Sequence, residues 1–349
     1  MSDALTIALD AMGGDRGPDM VLRGANIARQ RFPQARLLFF GDEGRLRPVL
    51  AKLPHLAKVS SLRHADQEVR ADDKPSAVLR SGRATSMRLA IDAVRDGEAS
   101  GVVSAGNTGA LMAMAKFVLK TMPGIDRPAI ASFFPTLRAE SVMLDLGANL
   151  QCGANNLVEF AVMGNVFART VLGVLEPTVG LLNVGSEDVK GYEALREAHA
   201  ILREAAMPGH FHGFVEGDDI AKGTVDVIVT DGFTGNVALK TIEGTVKLYS
   251  EFLRQTFSSS LLARLGYLLA RPALRTLRTR TDPRRYNGAI FLGLNGIAVK
   301  SHGGTDAFGF ANAIGVAIDM VLHGAIEKIR DDFANLTSQA ANNPLAATV

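Results

Sequence analysis

Six times along this chain a short apolar run, often β-branched, stops at a glycine-rich turn carrying Asp, Asn, Ser or Lys, and the turn opens into a helix-forming stretch. The segment VDVIVTDGFTGNVALK, residues 225–240, shows the design most fully. Val225, Val227, Ile228 and Val229 read as a buried strand, Gly232 and Gly235 break it, and Thr234 or Asn236 is placed to cap the next helix. Such a turn aims free N–H groups and the positive end of a helix dipole at one point, which suits phosphate or another anion. One turn of this kind is an ordinary strand–helix joint, so the constraint lies in the repetition. It predicts a three-layer α/β/α fold with a mostly parallel mixed sheet, in which ligands bind beyond the carboxyl ends of the strands.

With 349 residues, 47% of them hydrophobic, the chain can bury a large core as two modest domains or one large α/β unit. The reading adopted is a single α/β catalytic domain over residues 1–335, with 240–281 as a helical insertion and 336–349 as a loose tail. Thirty-eight basic against 36 acidic residues leave a net charge of +2, which gives no global field for nucleic acid. A lone cysteine, Cys152, excludes an intramolecular disulfide and a cysteine-rich zinc site and fits a reducing, cytoplasmic setting. The opening MSDALTIALDAMGG lacks a basic segment followed by a long apolar run, so it reads as a first strand and not as a secretory signal. No apolar run approaches the roughly 20 residues of a membrane-spanning helix.

In chain order, Thr6–Leu9 and Ala35–Phe40 read as strands, and Ser76 is expected to cap a helix running to Arg95. Gly101–Val103 leads into Ser104-Ala-Gly106-Asn107-Thr108-Gly109 and an apolar helix. Ala129–Phe134 and Ser141–Leu146 read as an antiparallel pair, Val179–Val184 as the next strand, and His210–Val215 as another, with His210 and His212 an exposed pair. Asn295-Gly296 between apolar runs signals a hairpin whose second arm ends in Lys300-Ser301-His302-Gly303-Gly304, before a helix from Phe310 to Ile329.

Absent devices narrow the chemistry. There is no Walker-type phosphate loop, no G-x-G-x-x-G after the first strand, no G-x-S-x-G elbow and no H-E-x-x-H. The strand ends offer instead backbone N–H groups, amides and hydroxyls. Candidate phosphate or substrate contacts are Ser104, Gly106, Asn107, Thr108 and Gly109 in one turn, and Asn183 and Ser186 in another. Thr234, Gly235, Lys300, Ser301 and Gly303 complete the set. This inventory binds an oxyanion but lacks an activated protein nucleophile, so the substrate must bring its own, as inorganic phosphate does.

The runs IALDAMGGDRGP (7–18), SAGNTGALMA (104–113), MPGIDRPAI (122–130), LDLGAN (144–149), LLNVGSEDVKG (181–191), DVIVTDGFTGNVALK (226–240) and FLGLNGIAVKSHGGTD (291–306) resemble, in order, the phosphate acyltransferase (PlsX) family of bacterial phospholipid synthesis. The resemblance implies a fold similar to phosphotransacetylases and isocitrate- and isopropylmalate-type dehydrogenases. It implies a cytoplasmic homodimer, peripheral to the inner face of the cell membrane, that moves a long-chain acyl group from acyl carrier protein to inorganic phosphate. The acyl phosphate would serve a glycerol-3-phosphate acyltransferase, with no metal and no nucleotide cofactor. Lys190 and Asn236 carry over as the catalytic pair; His302 is a candidate to protonate the leaving sulfur, the alternative being a structural hydrogen bond. For Lys190 the alternative is a salt bridge to Glu187.

Residues 252–281 contain six arginines and no acid. Leu261, Leu262, Leu265, Leu268 and Leu269 recur at helical spacing beside Arg264 and Arg271, and Pro272 is expected to interrupt the helix. A basic, leucine-rich amphipathic stretch suits an anionic bilayer surface or an acidic carrier protein, the alternative being a hairpin packed in a dimer interface. Rival functions are a phosphotransacetylase-like enzyme using acyl-CoA, a decarboxylating dehydrogenase, and a non-catalytic lipid- or anion-binding protein.

Overall fold

A computed structural model describes residues 5–205 and 207–342. Its strands are β1 (Thr6–Asp10), β2 (Arg36–Gly41), β3 (Ser60–His64), β4 (Gly101–Ser104), β5 (Ala129–Pro135), β6 (Glu140–Leu144), β7 (Thr178–Leu182), β8 (His210–Val215), β9 (Val227–Val229), β10 (Ala289–Leu292) and β11 (Ile297–Lys300). They form an 11-stranded sheet in the order β3-β2-β1-β4-β11-β10-β5-β6-β9-β7-β8. Alternation along each strand divides the core between two faces: Ile7, Leu9, Leu37 and Phe39 pack in one cluster, and Ala8, Leu38 and Phe40 in the other. Helices such as Gly17–Arg31 and Ala307–Leu322 cover the first face, and Ser86–Arg95 and Thr108–Leu119 the second. The three-layer α/β/α reading therefore holds.

The sheet is mixed and mostly parallel, as expected. Seven neighbouring strand pairs are parallel, but β11–β10, β10–β5 and β5–β6 are antiparallel. Both antiparallel features legible in the sequence, the Asn295-Gly296 hairpin and the 129–146 pair, sit in the middle of the sheet. Three reversals in a row leave β1, β2, β4 and β11 running opposite to β6, β9, β7 and β8. The glycine turns thus do not share a single strand-end edge.

Smaller differences have local causes. The stretch after β2 holds two short helices, Glu43–Leu50 and Pro54–Ala57, and β3, an edge strand whose SSLRH sequence has little apolar signal because little of it is buried. The helix expected over 76–95 is two, Pro75–Ser81 and Ser86–Arg95. Pro75 fits the first turn, where its missing N–H costs nothing, and Thr85, not Ser76, supplies a side-chain cap by accepting from Arg88 N–H at 3.3 Å. The terminal helix is also two, Ala307–Leu322 and Ala325–Asn342, broken at Gly324 with φ +58°. The second extends into the segment read as a loose tail; residues 343–349 lie outside the described residues.

The helices Gly232–Ser258 and Leu261–Arg280, about 40 and 30 Å long at 1.5 Å per residue, form a hairpin. Pro272 lies inside the second without ending it, on an exposed helix where water can satisfy the freed carbonyl. Only Gly232 and Gly235 are buried in the first helix, and no residue is in the second. Among the described residues no single helix is long and apolar enough to cross a membrane; a bent pair, 307–322 with 325–335, meets the length and composition, and its first member is largely core.

Candidate active site

At the ends of β6, β7 and β9, two loops and a helix start are bonded into one wall. Asp145, which follows β6, is fully buried and accepts N–H groups from Ile130 (2.9 Å), Gly147 (3.2 Å), Ala148 (3.1 Å) and Asn149 (2.6 Å), and the Asn149 amide at 2.9 Å. Burial pushes this carboxyl up from the ordinary range, and those donors pull it back. The Asn149 carbonyl in turn accepts Gly232 N–H at 2.7 Å, tying the Asp145 loop to the long helix.

That helix starts earlier than expected, and its cap is neither Thr234 nor Asn236. Asp231 is the cap: Oδ1 accepts Thr234 N–H at 2.8 Å and Oδ2 the Thr234 hydroxyl at 2.9 Å. Gly235 packs so closely that a Cβ there would lie 1.9 Å from the Asp145 carbonyl oxygen. One position on, Asn236 is exposed beside Gly147, and its carboxamide has no hydrogen-bond partner among the described residues.

Lys190 stands on the loop after β7. Asn183 closes this loop, accepting Val184 N–H at 2.8 Å and donating to the Lys190 carbonyl at 3.3 Å. The Lys190 side chain is exposed and has no ion-pair partner among the described residues, so the Glu187 salt bridge does not form; only the Lys190 N–H meets the Glu187 carbonyl, at 2.9 Å. Ser186 is exposed on the same loop.

The second group of residues gathers at the ends of β1, β4 and β11. Asp10 is buried and accepts the hydroxyls of Ser86 and Ser104, each at 2.6 Å, while Ser104 Oγ accepts Gly106 N–H at 3.0 Å. Asn107 caps the following helix, accepting Ala110 N–H at 3.0 Å, and its amide donates to the carbonyls of Ala71 and Asp73. The Lys300 ammonium donates to the carbonyls of Ala105, at 3.2 Å, and Ser301. Burial pushes it down to about 8, against the opposing pull of Asp10 and Asp15. The buried Ser301 hydroxyl accepts from Asn287, whose Oδ1 also takes the His302 N–H at 2.8 Å. His302 has an exposed ring whose Nδ1 accepts Gly304 N–H at 3.1 Å, leaving Nε2 outward. The Gly303 carbonyl accepts Asp15 N–H at 3.0 Å.

Sequence reasoning thus named residues of two kinds. Lys190, Asn236, Thr108, Ser186 and the His302 ring are presented to solvent. Ser104, Asn107, Asn183 and Ser301 instead engage partners within the protein, because an enclosed polar group must be paired, and Thr234, though exposed, gives its hydroxyl to Asp231. In this structure those side chains hold the turns together. Gly106 and Gly109 flank Asn107, and a Cβ on Gly109 would meet Pro75 at 2.8 Å. Among the described residues no hydrogen bond joins the Asp10–Lys300 group to the Asp145–Asn236 group. The organising acids, Asp10, Asp145 and Asp231, were missed; their signal is a carboxylate placed directly after an apolar strand.

On the hairpin, Leu261, Leu262 and Leu269 are 82%, 81% and 76% exposed, Leu265 and Leu268 more than half, and Arg264 and Arg271 are exposed as well. Between the two helices a cavity of about 560 Å³ is lined by Arg254, Arg264, Arg271 and Arg275 together with Leu253, Phe257 and Leu274. His210 and His212 are exposed, and among the described residues no three His, Cys, Asp or Glu side chains are grouped to hold a metal.

The family described as fatty acid synthesis protein matches residues 5–328. A phosphate acyltransferase from Rhodospirillum centenum is 71% identical over 336 residues, covering 96% of this chain and 95% of that protein. The chain belongs to the phosphate acyltransferase family. A second phosphate acyltransferase, from Paramagnetospirillum magneticum, is 61% identical over 348 residues and covers 99% of both chains. This acyltransferase is therefore an enzyme, which overturns the reading as a non-catalytic binding protein. Among solved structures, the EutD phosphotransacetylase from Staphylococcus aureus matches with a TM-score of 0.58 at 18% identity, over 91% of this chain and 94% of that one. A protein from Salmonella typhimurium assigned as a 4-hydroxythreonine-4-phosphate dehydrogenase matches at 0.53 and 14%, over 92% and 100%. At these identities the acyltransferase shares their fold.

Proposed function

We propose that the enzyme transfers a long-chain acyl group from acyl carrier protein to inorganic phosphate, and that the acyl phosphate goes to a glycerol-3-phosphate acyltransferase in phospholipid synthesis. The observation that carries this reading is the pair of exposed groups, the Lys190 ammonium and the Asn236 carboxamide, that have no partner among the described residues, on a loop closed by Asn183 and a helix start capped by Asp231. Phosphate, held against Lys190 and turn N–H groups, attacks the thioester carbonyl. The new C–O bond forms as the carbonyl oxygen takes negative charge, and Asn236 donates a hydrogen bond to that oxyanion. Collapse breaks the C–S bond, and the carrier thiolate leaves, protonated by phosphate, solvent or His302. The protein supplies placement and charge stabilisation, and phosphate supplies the nucleophile.

The exposed leucines of the hairpin and Arg264, Arg271 and Arg275, which have no ion-pair partner among the described residues, support contact with an anionic membrane surface and with an acidic carrier protein. A cytoplasmic homodimer working at the inner face of the membrane is part of the same proposal. The shared fold with phosphotransacetylases favours one second reading, a coenzyme A thioester as donor. Purified enzyme with phosphate and either acyl carrier thioester or acyl-CoA separates the two. Phosphate-dependent loss of the carrier thioester with formation of acyl phosphate is expected; consumption of acyl-CoA alone, or of neither, overturns the proposal.

A further inference from the structure

Lys190 stands on a loop and Asn236 on a helix start that the chain does not join directly. The Lys190 loop is closed upon itself by Asn183, and Asn236 rides on the first turns of the long helix. Among the described residues a single hydrogen bond crosses between segments 183–192 and 231–236, from the Tyr192 hydroxyl to Asp231 Oδ2 at 3.3 Å. That oxygen also accepts the Thr234 hydroxyl, and Oδ1 of the same carboxylate holds Thr234 N–H. A continuous path results. Lys190 is two residues before Tyr192, Tyr192 is bonded to Asp231, Asp231 to Thr234, and Asn236 is two residues after Thr234.

We propose that Tyr192 is a positioning residue whose bond to Asp231 sets the separation between the Lys190 ammonium and the Asn236 carboxamide. The inference rests on the acyl-transfer reading above, in which those two groups serve one phosphate and one developing oxyanion. A displacement of about 1 Å in such a pair is enough to cost roughly 100-fold in rate. The bond is available throughout the working range, because burial and then the negative charge of Asp231 push the Tyr192 phenol well above its ordinary value, so that it remains a donor. Tyr192 is 48% exposed, and phenylalanine keeps its ring, so Tyr192→Phe removes the hydrogen bond and little else.

The test is a two-residue cycle on the full-length enzyme, following formation of labelled acyl phosphate from carrier thioester and phosphate. Tyr192→Phe is expected to lower kcat about tenfold while KM for the acyl donor and the melting temperature stay unchanged. Added to Lys190→Ala, the same substitution is expected to leave the residual rate within about twofold, since there is no longer an ammonium to position. A Tyr192→Phe enzyme at the wild-type rate overturns the inference, as does a tenfold loss that persists in the Lys190→Ala background. Failure of the underlying reading looks different: Lys190→Ala itself then runs at the wild-type rate.

Discussion

Ser104, 94 residues from Asp10 in the chain, donates its hydroxyl to the buried Asp10 carboxylate at 2.6 Å and so ties the end of β4 to the end of β1. Ser86 supplies a second hydroxyl at the same distance. Ser104→Ala leaves a buried carboxylate oxygen and the Gly106 N–H short of a partner, which costs about 1–3 kcal/mol. Urea unfolding of the variant is expected to show a lower midpoint at unchanged slope. A midpoint equal to wild type would mean that water replaces the hydroxyl.

Gly235 allows the long helix to start against the Asp145 carbonyl. Gly235→Ala places a Cβ where 1.9 Å separates it from that oxygen, and backbone cannot swing aside as a side chain end can. The expected loss is about 1–3 kcal/mol or more, with activity falling as the Asn236 turn shifts. Thermal unfolding and rate, measured together, check it; a variant as stable and active as wild type contradicts this packing.

Lys300 gives a pH dependence of defined sign. Its folded value near 8 lies below the ordinary 10.5, because burial disfavours the cation. The charge is present below pH 8 and lost above it. If it helps to attract phosphate, KM for phosphate rises as pH passes through about 8, and Lys300→Met flattens that part of the profile. The unfolded chain keeps its proton between 8 and 10.5, so this residue also makes stability increase with pH in that window. Chemical denaturation at several pH values, wild type against Lys300→Met, measures the second effect.

The hairpin leucines pack on little in this chain. Leu265→Glu and Leu268→Glu are therefore expected to leave melting unchanged and to reduce flotation with anionic vesicles at least tenfold, since each exchanges apolar contact for repulsion. Unchanged flotation removes these residues from the membrane-facing set.

Strand–turn–helix repetition made the α/β class legible, because buried parallel strands must be apolar runs and their turns need glycine and capping residues. The direction of the strands was less legible. Two antiparallel pairs could be read, yet nothing local says that they lie side by side at the centre of the sheet, where they reverse one half against the other. At the site, side-chain chemistry is legible in the sequence, and side-chain pairing is not. Ser104, Asn107 and Asn183 have the same hydroxyls and amides as a phosphate contact, and only burial, a property of the assembled fold, shows that those groups are occupied. The Asp231 cap was open to reading, since a carboxylate three residues before Thr234 is a standard N-terminal signal. Tyr192 was not, because its partner lies 39 residues away.

In the proposed reaction the Lys190 ammonium and the Asn236 carboxamide work on one phosphate and one oxyanion. Acyl phosphate formation from acyl carrier thioester by Lys190→Ala and Asn236→Ala, each with wild-type melting temperature and oligomeric state, tests it most directly. A fall of about 100-fold or more in kcat for each variant is the predicted result; rates near wild type in either would contradict the account.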